Sequence, residues 1–330
     1  MQLSLYAQDR KYRSTFSSIN ETRAVETPAL NQFDVPATAA GGSTVWSMTA
    51  GKHEMTAGSD VRWVEGETNE AYLWNGTEFT RLRNAGGGQL FAGIFGEDDW
   101  SPNDYLTIIG GLRYDHWELF NGFRKASDRA TGAVTLDSQF PDRSGDEINA
   151  RIGARARLKN EVTLRGAFYS GFRVPTLNEL YRPFRVGNDV TEANAELRPE
   201  HSLGGEAGID WQATASLRLS GTLFLNYLHD AVGNITIGQG PGTFSPGGFI
   251  PAGGVLRPRQ NIDLVVAPGL SASASWQLCL APCRSPEVIS SLIQRLNVPP
   301  IPCWKESFSL KPRSMCSLAG SSGRLTSNGP

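Results

Sequence analysis

Two short stretches of the chain place aromatic rings beside guanidinium groups. Tyr72, Trp74, Phe79, Arg81 and Arg83 form the first; Tyr181, Arg182, Phe184 and Arg185 form the second. Guanidinium forks hold carboxylates and phosphates, and rings add flat apolar surface, so this mixture suits an anionic chelate. The predicted ligand contacts are Tyr72, Trp74, Arg81, Arg83, Tyr181, Arg182 and Arg185. The plainer alternative, solvated loops whose rings pack on themselves, stays open. Other chemistry is not spelled out. The histidines, His53, His116, His201 and His229, are scattered, and nothing supports a haem ligand among them. No nucleophile motif, phosphate loop or zinc-protease helix occurs, so no catalytic residue and no cofactor is expected. Asp98-Asp99 and Asp146-Glu147 read as solvated charges, weak calcium contacts at most. The cysteines, Cys279, Cys283, Cys303 and Cys316, have poor spacing for zinc, and no metal site is expected.

Loops carry such contacts only when a rigid scaffold holds them, and the scaffold is written in alternation. From Ser216 to Asp230, Leu217, Leu219, Gly221, Leu223, Leu225 and Tyr227 share one face, while Ser216, Arg218, Ser220, Thr222, Phe224 and Asn226 share the other. Period 2 held this long exceeds the usual globular strand of about five or six residues. Ile152, Ala154, Ala156 and Leu158 likewise oppose Arg151, Gly153, Arg155 and Arg157, and Val162, Leu164, Gly166 and Phe168 oppose Thr163, Arg165 and Tyr169. An arginine row is costly in a sandwich core. It is natural where one face meets lipid and the other a wet lumen.

About ten such strands are predicted, near 1–12, 31–50, 52–65, 86–100, 104–118, 147–158, 161–171, 202–211, 215–229 and 258–277. Pro36 with Gly41-Gly42 marks the second as kinked or irregular, and Pro268-Gly269 marks a bulge or break in the last. Short connections fall at Ala50-Gly51-Lys52, Ser101-Pro102-Asn103, Lys159-Asn160 and Gln212-Ala213-Thr214. Long ones, near 13–30, 66–85, 119–146, 172–201 and 231–257, alternate with them. Outer-membrane barrels have this rhythm, with short periplasmic turns and long outer loops. The expected fold is therefore all-β, an antiparallel transmembrane β-barrel fragment. Trp46, Trp63, Trp100, Trp117, Tyr169, Trp211 and Tyr227 lie near strand ends, where an interfacial girdle or plain β-propensity would put them.

Composition agrees and excludes little. Hydrophobic residues make up 39% and the formal net charge is −2, so no basic surface for nucleic acid is present. No run of 18 or more apolar residues would make a membrane helix. Residues 1–11 lack the basic and apolar regions of a signal peptide and open mid-strand, so residue 1 is read as an artificial or mis-assigned start. After Gln277 periodicity and composition change together. The expected organisation is a barrel part over 1–277 and an irregular Cys/Pro/Ser-rich tail over 278–330, read as frameshifted.

The stretch from Tyr169 to Glu206 resembles a signature of TonB-dependent outer-membrane receptors. Its parts are Gly171-Phe172-Arg173, Pro175-Thr176-Leu177-Asn178-Glu179-Leu180-Tyr181, Asn194-Ala195-Glu196-Leu197-Arg198-Pro199-Glu200 and Glu206. Gly110-Gly111-Leu112-Arg113-Tyr114-Asp115 resembles another strand of that family. Pro175 restricts Val174 to extended geometry, and Leu177, Leu180 and Tyr181 can share one face of a short helical turn that folds the loop back over the barrel mouth. The resemblance implies an energised importer of the Gram-negative outer membrane, contacting lipid and working with the TonB complex. Its ligand would be scarce, such as a ferric siderophore or cobalamin. The family barrel has about 22 strands with a plug inside; the plug and TonB box are not found in this sequence. Two alternatives stand beside it: a passive porin-like barrel, and a soluble all-β enzyme or binding domain.

Overall fold

The computed structural model describes residues 1–276, apart from residues 21, 160 and 246. Ten long strands run in chain order: β1 (Gln2–Ile19), β2 (Glu26–Ala50), β3 (His53–Trp74), β4 (Phe79–Asn103), β5 (Leu106–Asp128), β6 (Arg143–Lys159), β7 (Val162–Arg173), β8 (Glu200–Gln212), β9 (Leu217–Asn234) and β10 (Val255–Trp276). Each pairs antiparallel with the next, an unbroken meander. Every predicted strand is present, and all four short turns lie at one end of the sheet. Gly51 turns the β2–β3 hairpin at φ +61°, a conformation that costs glycine nothing. Among the described residues β1 and β10 do not pair, so the sheet is open. The predicted tail, 278–330, lies outside the described residues.

The strands differ from expectation at their other ends, where they are longer. Segments 13–30 and 66–85, predicted as long loops, are mostly ladder. The β1–β2 connection shrinks to residues 20–25 and the β3–β4 connection to residues 75–78. The reason is physical. Alternation appears only where two faces meet different surroundings; in 66–85 apolar residues instead run consecutively, as in Ala71-Tyr72-Leu73-Trp74, because both faces there meet protein or water alike. The ladder hydrogen bonds continue there without leaving a pattern. The remaining connections are long: 129–142, 174–199 and 235–254. In β2 the irregularity spans Gln32 to Pro36: the register to β3 shifts between Gln32 and Asp34, Val35 and Pro36 have no partner on β3, and Pro36 pairs only with Lys11 of β1. In β10 the ladder to β9 passes straight through Pro268, opposite Leu225. Among the described residues β10 has no second neighbour along that stretch, a place where proline is tolerated.

The two faces are chemically opposite. On the outer face Ile94, Leu112, Ile152, Phe168, Leu223 and Leu270 are 58–71% exposed. A contiguous exposed apolar belt is rare on soluble proteins. The inner face carries ion pairs: Arg113 donates to Asp60 (2.7 Å) and Asp115 (2.9 Å), Arg165 lies 3.5 Å from Glu206 and 3.4 Å from Asp210, and Arg151 pairs with Glu97. Trp46, Trp100, Trp211 and Trp276 stand on the outer face near the short turns, 40–69% exposed. Trp117 and Tyr169 are not part of that girdle. Trp117 is buried on the inner face, and the Tyr169 hydroxyl donates inward to Asn226 at 3.0 Å.

Candidate ligand-binding site

The connection from β7 to β8 folds inward and builds the site. Pro175 ends the β7 ladder, and a five-residue helix, α1 (Leu177–Tyr181), follows. Thr176 caps it: its side chain accepts from the Glu179 amide, while Glu179 accepts from the Thr176 amide at 2.7 Å. This reciprocal cap satisfies two otherwise orphaned donors. Glu179 also receives Arg173 through both guanidinium arms, at 2.8 and 3.2 Å, and Arg173 reaches on to Glu200. Burial would raise the Glu179 carboxyl, but Arg173 and Thr176 hold it below the usual carboxylate range. Glu200 in turn accepts from the Val232 amide at 2.6 Å. The residues of the signature thus bond one another and pin the ends of the connection together.

The predicted apolar face of α1 is real. Leu180 and Tyr181 are 1% exposed and Leu197 is fully buried; they pack with Ala85, Trp117 and Leu119 on the inner face of β4 and β5. Tyr181 stacks on Phe140 with ring centres 5.0 Å apart. Packing of this kind holds the connection down inside the sheet, so the segment lines the interior.

Charge gathers just beyond this core. Glu70, with no exposed surface, accepts from Arg83 Nε at 2.6 Å and from Arg182 Nη2 at 2.6 Å. The Arg83 guanidinium also lies over the Tyr72 ring at 4.4 Å. Arg124 donates to Glu192 at 3.2 Å. Burial raises the Glu192 carboxyl, against the lowering pull of Arg124 and Arg83. Arg259 donates to the carbonyls of Asn178 (2.8 Å) and Arg182 (3.0 Å) and lies 5.5 Å from the centre of the Phe184 ring. Arg185 donates to the Phe249 carbonyl at 3.0 Å, and its own charge is disfavoured by burial. Five guanidinium groups (Arg83, Arg124, Arg182, Arg185 and Arg259) gather around three carboxylates (Glu70, Glu192 and, beside Arg259, Glu179), an excess of two positive charges. Such a desolvated cationic surface with aromatic walls can hold a bulky anion.

Of the seven predicted contacts, Tyr72, Arg83, Arg182 and Arg185 enter this cluster, and Tyr181 supports it from the core. Trp74 and Arg81 stand apart. Trp74 meets Phe79 edge-on at 5.1 Å beside the β3–β4 turn, and Arg81 is neutralised by Asp128. Tyr72, Trp74, Arg81 and Arg83 lie on strands and not on a loop, so the ladder fixes their positions. Glu70, Arg124, Glu192 and Arg259 were not among the expected residues. Arg124 and Glu192 lie 68 residues apart and Arg182 reaches Glu70 across 112, and no local pattern announces such pairs; Glu70 and Arg83 are opposite each other only once the β3–β4 register is set.

The family model for the TonB dependent receptor-like β-barrel matches residues 2–302. No curated protein matches by sequence. Among solved structures, the chain is similar to the ferric yersiniabactin uptake receptor FyuA of Yersinia pestis, at 16% identity and TM-score 0.56, over 84% of this chain and 37% of that one. It is similar to the copper transporter OprC at 16% identity and TM-score 0.59, over 77% and 37%. The closed form of the ferric-catecholate import receptor Fiu from E. coli K12 is similar at 15% identity and TM-score 0.52, over 84% and 42%. At such identities the likeness is one of fold, and this chain spans about two fifths of each structure.

Proposed function

This chain belongs to the TonB-dependent receptor family, and from that premise we propose that residues 1–277 form part of an outer-membrane receptor barrel that takes up an anionic iron chelate. Members of the family are outer-membrane transporters and not enzymes. The TonB complex is the proposed energy-coupling partner and outer-membrane lipid the proposed surroundings of the exposed apolar belt. The observation that carries the ligand class is the excess of two positive charges around Tyr72 and Phe184. A ferric siderophore complex bearing several negative charges matches this better than cobalamin, which offers the guanidinium groups far less charge. The apolar belt speaks against the soluble alternative, because burying it in lipid is favourable at about 25 cal/mol per Å².

The test is titration of the full chain, in detergent, with a trianionic ferric tris-catecholate, followed by tryptophan fluorescence. Arg182→Ala and Arg124→Ala should each weaken binding roughly tenfold or more, the loss of one charge-assisted hydrogen bond. Added salt should weaken the wild-type protein too. Equal affinity in both variants and at high salt would sink the anionic-chelate reading.

A further inference from the structure

The outer face carries a groove that neither ligand uptake nor strand pairing uses. It lies between β2 and β5 near the short turns, with a volume of about 650 Å³, within the ~300–1,000 Å³ of ligand clefts. Ala57, Gly96 and Gly110 form its floor, and Trp46, Met48 and Leu112 stand around it. The two glycines have ordinary backbone angles, and a Cβ on either would meet nothing within 4 Å. Neither fold geometry nor packing asks for glycine there. What their small size does is keep the floor low.

One end of the groove is charged. Asp98 lines it and stands on the same outer face, 38% exposed, among apolar neighbours. The reachable carboxylate oxygen, Oδ2, meets His53 Nδ1 at 2.6 Å and has room for a second donor; Oδ1 is buried and takes no hydrogen bond. His53 stacks on Trp100, whose girdle position marks the edge of the apolar belt. Lys52 precedes His53 in the turn. A carboxylate on a lipid-facing surface is costly unless a cation meets it.

We propose that this groove binds a phospholipid with a primary ammonium headgroup, phosphatidylethanolamine in type. One acyl chain lies over Gly96 and Gly110, and the ammonium pairs with the exposed Oδ2 of Asp98, beside His53. Charge complementarity selects the headgroup: an anionic phosphatidylglycerol would set its phosphate near the same carboxylate with no ammonium to offset it. The inference rests on the membrane reading proposed above.

The experiment is native mass spectrometry of the full chain from mild detergent, with equal amounts of phosphatidylethanolamine and phosphatidylglycerol added. Wild-type protein should retain the ethanolamine lipid about two- to fivefold better, the worth of one exposed ion pair. Asp98→Asn should erase that preference. Gly110→Phe should lose the adduct, Gly96→Leu should do the same, and Leu223→Phe, on the same face outside the groove, should keep it. Equal retention of both lipids by wild-type protein, or an adduct unchanged in both glycine variants, overturns the groove. Recovery of the chain in the soluble fraction without detergent overturns the membrane reading itself, and the groove with it.

Discussion

The ring of Tyr181 occupies the space in which Gly122 would carry a side chain: a Cβ built on Gly122 falls 2.5 Å from Tyr181 Cζ. Gly87 forms the other wall, where a Cβ would lie 3.1 Å from Tyr181 Cε2. Two strands have thus given up side chains so that the β7–β8 connection can dock. Gly122→Val should eject the ring. Overpacking costs about 1–3 kcal/mol, and the cost should fall on the docked connection. Limited proteolysis should cut within 174–199 in the variant and spare the wild-type protein. Equal protection in both would show that the slot does not hold the ring.

Glu70 joins two elements that share no local sequence. Removing its charge leaves Arg83 and Arg182 buried without a counter-ion, which costs about 3–5 kcal/mol for a fully buried pair. Glu70→Ala should lower the midpoint of denaturant unfolding. Combining it with Arg182→Ala should recover part of the loss, since fewer unpaired charges remain. Additive losses in the double variant would show that the two residues do not interact.

The docked connection should also loosen in acid. Glu179 is held below the usual carboxylate range, so its contribution is present above its unfolded value and is lost as the pH falls through the folded one. Glu192 has the opposite sign. Its carboxyl is raised, so its contribution is greatest at low pH and fades as the pH rises through the raised value. Glu179→Gln should flatten the acid side of the protease-protection profile, and Glu192→Gln the other side. A profile that neither substitution alters would remove both groups from the account.

The two sheet faces should respond differently to charge. Phe168→Arg, on the exposed apolar belt, should cost about 2–4 kcal/mol in lipid vesicles. Thr163→Arg, on the inner face, should cost much less. Urea unfolding of both variants in vesicles measures the contrast, and equal costs would mean that the belt does not face lipid.

Much of this protein is legible along one strand at a time. Period 2 located all ten strands, because a strand between lipid and water must alternate. The four short turns followed from their Gly, Pro and Asn residues. The run from Gly171 to Glu200 declared both its family and the apolar face of α1, since Leu177, Leu180 and Tyr181 fall together on one helical turn. Where apolar residues no longer alternate, as from Ala71 to Trp74, the pattern vanished, and the outer parts of β3 and β4 read as loops. Only the tertiary structure could bring Arg182 to Glu70 across 112 residues, Arg124 to Glu192, and Tyr181 into the slot left by Gly87 and Gly122. Local sequence fixes which face a residue takes. Which distant residue shares that face depends on strand register and on how a connection folds back, and both are settled by packing between segments far apart in the chain.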